Sequence, residues 1–547
     1  MTSDHSPRMM LWRPTLSHLW LNMVVAGYML AVLNAGFWER LLGIFSGKPL
    51  QVAAFGLASF ALTVLMLEFF GLSRLQKPVA ALLIVIAAAS SYFEQVFGVL
   101  IDREMIRNVM ETTPTEAGHL VTLSAVLNIG LLGVLPAALV FWPHVRRVSG
   151  VHHLWRWPLG VATCFGLVAG GLMMDFKAFS AVLRERHDLM GSYQPGATVT
   201  AIFKFGKEQF ASAMPEAQPI ATDARRGAYL ASADKPVLLV FFAGETARAQ
   251  NFGLNGYARD TTPGLRDRGV INYPDVSSCG TSTAVSLPCM FSALPKAEYS
   301  REKFLSQFTL LDVIERVGFD AQWFENNAGE YDIAARTGVS RVDATLDPAA
   351  CEIECTDEIF LPIIENTLAT ITSDTVLVLH MIGNHGPAYY LRYPPERAPF
   401  QPDCPTAEFA KCAVEQVVNS YDNAIYETDY VLSRSIDMLQ ASDRAYSAVI
   451  FLSDHGESLG ENGLYLHAAP MFMAPEMQTK VPMVMWLSDS YSRVMGIDTA
   501  CPMETAQRPA SQDNVFHTVL GLLDIQTDTR QPALDLTEGC RMAAAQL

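Results

Sequence analysis

Three short segments in the C-terminal two-thirds of the chain carry side chains that could build a zinc site around a threonine. Each follows a run rich in apolar and β-branched residues: GETARAQ (244–250), CGTSTAVSLPCMFS (279–292) and SDHGES (453–458). Glu245, Asp454 and His455 offer carboxylate and imidazole groups, which zinc takes as ligands, and three protein ligands leave a fourth position for a reacting group. The pattern therefore indicates a metal-assisted transferase.

The hydroxyl side chains of the second segment compete for the role of nucleophile. Thr281, Ser282 and Thr283 stand at the predicted start of a helix that runs to about Ser292. Helix N-termini favour negative charge and bind phosphate through backbone N–H groups, which would suit a nucleophile that receives a phosphoryl group. Ser and Thr also commonly cap helices without any catalytic role. Spacing alone leaves both interpretations open.

Histidines concentrate near these segments. Of the twelve histidines, five lie beyond residue 190, and four of those five are His380, His385, His455 and His467. A single histidine is usually structural, but four of them close to strand ends that already carry acidic ligands favour a site. We expect His385, His455 and His467 to contribute to that site. His380 lies within a predicted strand and is expected to be structural.

The elements that must position these residues form a predicted α/β domain over residues 236–547. Near-continuous apolar runs at 236–243, 375–382 and 446–453 are typical of parallel strands covered on both faces. In open α/β sheets the ligand site lies beyond the carboxyl ends of the strands, so residues far apart in sequence can converge there. The sequence predicts a mostly parallel central sheet between helices.

The first 175 residues predict an α-helical membrane anchor of five transmembrane helices. Five apolar stretches of about 20 residues are each long enough to cross a bilayer: 17–37, 50–71, 79–100, 120–142 and 157–174. The first and third loops between these stretches hold four Lys and Arg residues. The N-terminal tail and the second and fourth loops hold seven: Arg8, Arg13, Arg74, Lys77, Arg146, Arg147 and Arg156. Positive residues favour the cytoplasmic side, so the N-terminus is predicted inside and the chain beyond residue 175 outside. Because four more spans follow the first, we interpret it as an anchor rather than a cleaved signal peptide.

Residues 176–235 are predicted to form an amphipathic, partly helical connector along the membrane surface. Apolar residues recur there at helical spacing before a break that contains Gly and Pro: Phe176, Phe179, Val182 and Leu183. The part beyond it is acidic, since residues 191–547 carry 45 Asp and Glu against 25 Lys and Arg. Nucleic acid is excluded as the expected partner, because its binding depends on basic residues that neutralise phosphates.

Cysteine usage supports export of the acidic part. Cys164 lies in the fifth apolar stretch, and the other eight cysteines all follow residue 190. The sequence has no CxxC pair, which argues against a cysteine-rich zinc module and favours disulfide bonds in an oxidising compartment. The short separations predict the pairs Cys279–Cys289, Cys351–Cys355, Cys404–Cys412 and Cys501–Cys540.

Together these segments resemble the phosphoethanolamine transferases that modify lipid A, a membrane-anchored branch of the alkaline-phosphatase and sulfatase-like superfamily. The resemblance extends over most of the chain and is strongest in GETARAQNFGLNGY (244–257), CGTSTAVSLPCMFS (279–292), HMIGNHGPAYYLRY (380–393) and SDHGESLGENGLYLH (453–467). It implies a monomeric protein of the bacterial inner membrane with its catalytic domain in the periplasm. Modification of lipid A by such a protein would also imply polymyxin resistance.

The resemblance implies a two-step reaction on zinc. Thr283, the second threonine of CGTST, would be the nucleophile and would join Glu245, Asp454 and His455 on one zinc ion. Its oxygen would attack the phosphorus of phosphatidylethanolamine and expel diacylglycerol. A phosphate of lipid A would then attack the phosphoethanolamine-threonine intermediate.

The resemblance assigns substrate contacts to four other residues. His385 and His467 would bind the phosphate or a second, looser zinc ion. The segment 101–117 is similar to the family's outer loop, and within it Asn108 and Glu116 would help to hold the headgroup of the donor lipid.

One segment departs from the family pattern. Many relatives have a Cys pair that brackets a Lys after an NNSG-like stretch, whereas residues 325–336 here read ENNAGEYDIAAR. Glu330 and Tyr331 therefore stand where a cysteine and the lysine are expected. The missing cation leaves the core chemistry intact but predicts weaker binding of an anionic acceptor, unless Arg336 takes that role.

The sequence leaves alternatives to this reading. The acceptor could be a core sugar or a periplasmic glucan, and a non-catalytic membrane receptor with a retained zinc site is the alternative of a different class. A sulfatase would need a CxPxR setting, but Cys289 is followed by Met290 and Phe291. A five-span glycerophosphate polymerase would share the threonine nucleophile, but the segments at 244–250 and 279–292 argue against it.

Overall fold

The computed structural model describes residues 13–71, 74–146, 150–211 and 216–541. Arg8 and Arg147, which enter the charge count above, lie outside the described residues. The chain divides into two compact units, one made of Met1–Ile106 and Val121–Gly206, the other of Arg107–Leu120 and Lys207–Leu547. The second unit thus includes a segment, residues 107–120, that is remote from the rest of it in sequence.

The first unit is helical. Its helices are His18–Val32, Ala35–Ile44, Pro49–Glu68, Gln76–Phe97, Leu123–Ile129, Leu135–Leu139, Gly150–Met173, Phe176–Glu185, His187–Gly191 and Gly196–Ala211, with a π-helical turn at Gly130–Val134. Two short parallel strands, Thr15–Ser17 and His144–Arg146, pair with each other. Gly98 ends the helix Gln76–Phe97 in the left-handed conformation (φ 73°), where a residue without a Cβ pays no steric penalty.

Two of the described helices are long and apolar enough to cross a membrane, Pro49–Glu68 and Gln76–Phe97. The pair His18–Val32 and Ala35–Ile44 is bent by 69°, and the pair Trp155–Met173 and Phe176–Glu185 by 93°. Counting each bent pair as one span raises the number to four, and Leu123–Leu139 is apolar but shorter. The count of five spans stays a prediction.

The start of the predicted connector is an amphipathic helix, Phe176–Glu185. Phe179 is 1% exposed, and its ring lies 5.4 Å from those of Phe45 and Phe55. Phe176 is 63% exposed on the same helix. The helix therefore presents one apolar side to its own unit, while its placement along a membrane surface stays a prediction.

The second unit contains an eight-stranded mixed sheet. In chain order its strands are β1 (Val237–Gly244), β2 (Ile271–Ser277), β3 (Asp320–Glu325), β4 (Val339–Arg341), β5 (Thr375–His380), β6 (Tyr446–Ser453), β7 (Lys480–Leu487) and β8 (Ala510–Ser511). Their order across the sheet is β8-β2-β7-β6-β1-β5-β3-β4. β7 runs antiparallel to both neighbours, and the other five pairings are parallel. The sheet is mostly parallel, as predicted, with β7 as the exception.

Helices of the second unit accompany this sheet. They are Arg103–Glu111 (shared with the first unit), Pro114–Leu120, Ala228–Ser232, Pro263–Arg266, Thr283–Met290, Arg301–Leu305, Leu310–Arg316, Phe360–Thr370, Val414–Ala441, Glu476–Thr479, Asp489–Val494, Ala500–Thr505 and Asn514–Leu522. Two small antiparallel pairs join Arg225–Arg226 to Ile525–Gln526 and Ser458–Leu459 to Tyr465–Leu466. Every residue of β1 is buried, as expected for a strand covered on both faces.

The register of the parallel strands determines which residues meet. Gly244 of β1 lies opposite Ser453 of β6, and Ala243 lies opposite His380 of β5. The three strands therefore end at the same level. Glu245 and Asp454, the next residues of β1 and β6, emerge side by side at the carboxyl edge of the sheet.

Four disulfide bonds are present in the second unit, and they join the cysteines at the short separations expected: Cys279–Cys289, Cys351–Cys355, Cys404–Cys412 and Cys501–Cys540. Cys164 is buried and has no disulfide partner. The bond from Cys279 to Cys289 spans the start of the helix Thr283–Met290 and reaches its last turn. It therefore limits how far the first residue of this helix can move.

Candidate active site

Glu245, Asp454 and His455 converge at the carboxyl edge of β1 and β6. One ligand atom from each lies within 4.8 Å of the other two, and all three side chains are buried. The loop after β5 lies against Glu245, and Gly383 makes this approach possible. Gly383 has a φ of 47°, and a Cβ there would meet the Glu245 carbonyl oxygen at 2.6 Å.

The donor atoms of these three residues fit a metal ion. Asp454 Oδ2 is buried without a hydrogen-bond partner, while its Oδ1 accepts from the N–H groups of Thr246 and His455. His455 Nδ1 donates to the Gly456 carbonyl at 2.9 Å, so its Nε2 presents a lone pair to the carboxylates. This Nε2 lies 3.3 Å from Asp454 Oδ2 and 3.5 Å from Glu245 Oε1. A zinc ion would satisfy both the unpartnered oxygen and the imidazole lone pair.

The electrostatics of the site also favour a cation. Burial and repulsion from Glu245 raise the pKa of Asp454 well above its usual range. Burial acts in the same direction on Glu245, but attraction to the neighbouring histidines outweighs it and lowers the pKa. Burial and repulsion from His467 lower the pKa of His455 to about 3, so its imidazole is neutral. A neutral imidazole between carboxylates is the state in which these side chains can ligate zinc.

Of the three candidate hydroxyls, Thr283 is the one that the fold brings to these ligand residues. Its Oγ1 lies 3.1 Å from Glu245 Oε2 and 3.3 Å from His455 Nε2. Ser282 precedes the helix as its N-cap residue, and Thr281 donates its hydroxyl to the Ala469 carbonyl at 2.8 Å. The geometry therefore favours Thr283 over the other two hydroxyls of the segment.

His385 and His467 lie beside the same residues. The ring centroid of His467 is 4.4 Å from that of His455 and 5.4 Å from that of His385. His385 Nε2 is 2.6 Å from Glu116 Oε1, which connects the segment 107–120 to the site. Burial lowers the pKa of His385, but the Glu116 carboxylate outweighs burial and raises it to about 9. His385 is therefore a cation at neutral pH.

The two residues of the predicted outer loop differ in their positions. Glu116 contacts His385, as described above. Asn108 lies on the helix Arg103–Glu111, where its carbonyl accepts from the N–H and the hydroxyl of Thr112. No hydrogen bond joins the Asn108 side chain to the described site residues.

Sequence reasoning missed the residues that orient Glu245. Asn327 Nδ2 donates to Glu245 Oε2 at 2.8 Å and to the Met381 carbonyl at 3.0 Å. The Asn327 N–H donates to Glu325 Oε1 at 2.8 Å, and Glu325 is paired with buried His380 at 2.9 Å. Thr246, whose φ is 58°, donates its hydroxyl to the other oxygen of Glu245. The available signal was the pair of asparagines directly after β3, at the same edge of the sheet.

We expect Asn327→Ala to weaken metal binding without unfolding the protein. Hydrogen bonds to a ligating carboxylate fix its orientation, and losing such a partner typically costs about 10- to 100-fold in metal affinity. Competition against a chromogenic chelator would measure the zinc affinity directly. The matched control is Asn366→Ala on the exposed side of the helix Phe360–Thr370. Equal zinc affinity of the two variants would contradict an orienting role.

Arg336 lies in the segment that departs from the family pattern, and its guanidinium already has a partner. Arg336 Nε donates to Asp312 Oδ1 at 2.7 Å, and its guanidinium lies 4.6 Å from the centre of the Phe308 ring. Its pairing with Asp312 argues against the suggestion that Arg336 replaces the lysine, which stays a prediction. Tyr331 has a φ of 51°, and burial together with nearby carboxylates, Glu111 first, raises its pKa well above the usual range. It stays a neutral hydroxyl.

Comparisons with known proteins agree with this geometry. Residues 59–210 match the model of the phosphoethanolamine transferase EptA/EptB family, and residues 238–525 match the sulfatase model. The phosphoethanolamine transferase EptA of Escherichia coli strain K12 is 36% identical over 97% of this chain and 98% of its own length. The phosphatidylethanolamine transferase Mcr-1 of Escherichia coli is 33% identical over 94% of this chain and 97% of its own.

A solved structure matches over nearly the whole chain. It is the integral membrane protein lipooligosaccharide phosphoethanolamine transferase A from Neisseria meningitidis, with a TM-score of 0.92 and 34% sequence identity. The match covers 97% of this chain and 100% of that one. The convergent ligands, the threonine at the helix start and these likenesses lead to one conclusion: the chain belongs to the family of membrane-anchored phosphoethanolamine transferases, with a sulfatase-like, alkaline-phosphatase-like domain.

Proposed function

We propose that this protein transfers phosphoethanolamine from phosphatidylethanolamine to a phosphate of lipid A, with Thr283 as the nucleophile. The observation that carries the proposal is the position of Thr283 Oγ1, 3.1 Å from Glu245 Oε2 at the start of a helix. The names of the similar proteins supply the substrates, a phosphatidylethanolamine transferase for the donor and a lipooligosaccharide transferase for the acceptor.

The chemistry consists of two displacements at phosphorus. In the first, Thr283 Oγ forms a bond to the phosphorus of the donor, and the bond from phosphorus to the diacylglycerol oxygen breaks. In the second, an oxygen of the acceptor phosphate forms the new bond, and Thr283 Oγ leaves. The covalent intermediate replaces one difficult step by two easier ones.

The site residues have different roles in these two displacements. Glu245 Oε2 accepts the hydrogen bond of the Thr283 hydroxyl and holds its oxygen toward the substrate. Protonated His385 places positive charge near the transferred group, with His467 beside it. Zinc held by Glu245, Asp454 and His455 would lower the pKa of the Thr283 hydroxyl and offset the charge on the phosphoryl oxygens. One zinc ion is proposed there, and His385 and His467 would bind the phosphate or a second one.

We assign residues 1–175 to a five-helix transmembrane domain, 176–235 to a juxtamembrane connector and 236–547 to a periplasmic catalytic domain. The N-terminus would be cytoplasmic and the protein a monomer of the inner membrane. Donor and acceptor are both lipids, so an anchor keeps the site near the headgroups. The segment 107–120 belongs to the second compact unit, which supports a role for Asn108 and Glu116 in holding the donor headgroup.

The fragment 216–547 is expected to fold when oxidised and to bind zinc, but to transfer poorly to acceptors in membranes. It keeps the sheet, the four disulfide bonds and the ligands, but loses the anchor and Glu116. Turnover of fragment and full-length protein on the same vesicles, with zinc content as the check on folding, measures the difference. Equal turnover would show that the membrane part is only a tether.

Glu116→Gln is expected to reduce kcat/KM for the donor by about 10- to 100-fold. The exchange removes the carboxylate that keeps His385 protonated, and a charge-assisted hydrogen bond is worth roughly 1.5–3 kcal/mol. The comparison is Glu365→Gln, an exposed site on the helix Phe360–Thr370. If both variants release diacylglycerol at the wild-type rate, Glu116 has no role in donor turnover.

Mass spectrometry of lipid A from cells with and without the protein tests the proposal. Addition of phosphoethanolamine to lipid A, together with resistance to polymyxin, is the expected result. Modification confined to core sugar or periplasmic glucan would change the acceptor but keep the chemistry. Unchanged phosphatidylethanolamine turnover would instead support a receptor that retains the zinc ligands.

A further inference from the structure

A cavity of about 580 Å³ lies in the second unit beside the candidate active site. Its wall includes Thr113, Glu116, Asn327 and Arg341. The cavity adjoins the catalytic residues directly, because Asn327 Nδ2 is 2.8 Å from Glu245 Oε2. Its volume lies in the range of small-molecule sites, so a sugar-sized group can enter.

The acidic side chains of this wall already have partners. Three carboxylates are matched by basic groups: Glu116 with His385 at 2.6 Å, Glu354 with Arg392 at 2.6 Å, and Glu325 with His380 at 2.9 Å. The fourth, Asp343, accepts hydrogen bonds from the N–H and the hydroxyl of Thr345. These contacts match three of the four carboxylates with basic groups and also occupy Arg392.

Arg341 is the cation of this wall without a counter-charge. It ends β4, which pairs in parallel with β3 so that Arg341 lies opposite Glu325. Its position is therefore at the carboxyl edge of the sheet, where the catalytic residues also emerge. Arg341 Nη2 lies 3.9 Å from the position that a Cβ on Gly329 would take, so the guanidinium reaches the loop after β3. None of the described carboxylates forms an ion pair with it.

We propose that Arg341 binds a second phosphate of the acceptor in this cavity and thereby orients the attacking phosphate toward the phosphoethanolamine carried by Thr283. The proposal rests on the transfer reaction proposed above. A guanidinium presents parallel N–H donors that match the oxygens of a phosphate, and such charge-assisted pairs are among the strong polar contacts. Glu330 and Tyr331 in the adjacent loop contribute no positive charge, so Arg341 supplies it from the neighbouring strand.

The position of Arg341 distinguishes the acceptor from the donor. The donor phosphate must reach Thr283 Oγ, and the donor headgroup is assigned above to Glu116, which pairs with His385 at 2.6 Å. Arg341 stands on the far edge strand of the sheet, three strands from β1. A phosphate bound there is therefore one that does not react, and it holds the acceptor from the side of β4.

The test compares full-length Arg341→Glu with Arg508→Glu, which makes the same change of charge at an exposed arginine outside the cavity wall. Both are assayed in vesicles that contain phosphatidylethanolamine, with lipid A titrated as acceptor. Three quantities are measured: diacylglycerol release without acceptor, the KM for the donor and the KM for lipid A. Glucosamine 1-phosphate and unphosphorylated glucosamine serve as soluble competitors.

Arg341→Glu is expected to raise the KM for lipid A by about 10- to 100-fold, while the KM for the donor and the release of diacylglycerol match those of Arg508→Glu. Arg341→Lys should restore part of the affinity, and glucosamine 1-phosphate should inhibit the wild type but not Arg341→Glu. A KM for lipid A within twofold of the control, a rise in the donor KM instead, or equal inhibition by unphosphorylated glucosamine overturns the proposal. Failure of the wild type to release diacylglycerol would overturn the proposed function itself.

Discussion

Thr283→Ala is expected to abolish phosphoethanolamine transfer, with a loss of at least about 10³-fold in kcat, because alanine has no oxygen to receive the phosphoryl group. The fold should survive. Thr283 occupies the first turn of a short helix that the bond from Cys279 to Cys289 ties to the segment before it, and alanine is a good helix former. The measurement is release of diacylglycerol from phosphatidylethanolamine vesicles, beside a melting curve of the same preparation.

Two companion variants make this result specific to the hydroxyl. Thr283→Ser keeps an oxygen near Glu245 and should retain partial activity. Thr281→Ala removes a hydroxyl that donates to the Ala469 carbonyl rather than to the ligand residues, so transfer should persist. Mass spectrometry of an arrested reaction should find phosphoethanolamine on Thr283. An adduct on Ser282 or Thr281, with Thr283 unmodified, would disprove the assignment.

The parts of this fold that the sequence predicts are those whose burial leaves a local pattern. β1, β5 and β6 are covered on both faces, so each reads as a continuous apolar run, and the predicted bounds agree within two residues. The ligands could be predicted because they directly follow two of these runs. The short edge strands β4 and β8 bury little and carry no such pattern.

The orientation of strands and the partners of side chains depend on contacts between distant residues. β7 is an apolar run like the others, and nothing in its composition indicates that it runs antiparallel to β6. Arg336 was the candidate cation by its place in the chain, but Asp312 binds it. Arg341 lies on a strand too short to be predicted, although the register places it opposite Glu325. Proximity in sequence to the missing lysine therefore did not identify the residue that brings positive charge to the cavity.

The role of Asn327 at the catalytic centre could not be predicted from the sequence either. Two asparagines after a strand are common turn residues, and the sequence does not reveal that one of them donates to Glu245 Oε2. The Glu325–His380 pair behind it was also hidden, because His380 was recognised as a strand residue without its partner. Residues that ligate or attack have recognisable types and spacing. The residues that orient them are identified only when the strands are assembled.

Asp454→Asn is expected to abolish transfer while making the metal-free protein more stable. The Asp454 carboxylate is buried beside Glu245, and its Oδ2 has no hydrogen-bond partner. The amide nitrogen of asparagine would take the place of Oδ2, which lies 3.3 Å from His455 Nε2, and could donate a hydrogen bond to that nitrogen. The amide oxygen would keep the hydrogen bond from the Thr246 N–H. The raised pKa shows that this site disfavours the charged carboxylate, so folding without metal must bind a proton there, and replacing the carboxyl by an amide should raise the melting temperature in chelator.

Zinc should then stabilise the wild type and leave Asp454→Asn unaffected. A ligand that binds only the folded state adds stability that grows with its concentration, about 4 kcal/mol at a thousand times Kd. Melting curves with and without zinc, together with elemental analysis, measure both effects on one sample. His467→Ala is the comparison, because His467 lies beside His455 but outside the three converging ligands, so zinc should still stabilise that variant. Two results would contradict this role of zinc: full transfer activity in a preparation shown to contain no metal, or equal zinc stabilisation of Asp454→Asn and the wild type. Either would mean that these residues hold the substrate directly and that the threonine is activated without zinc.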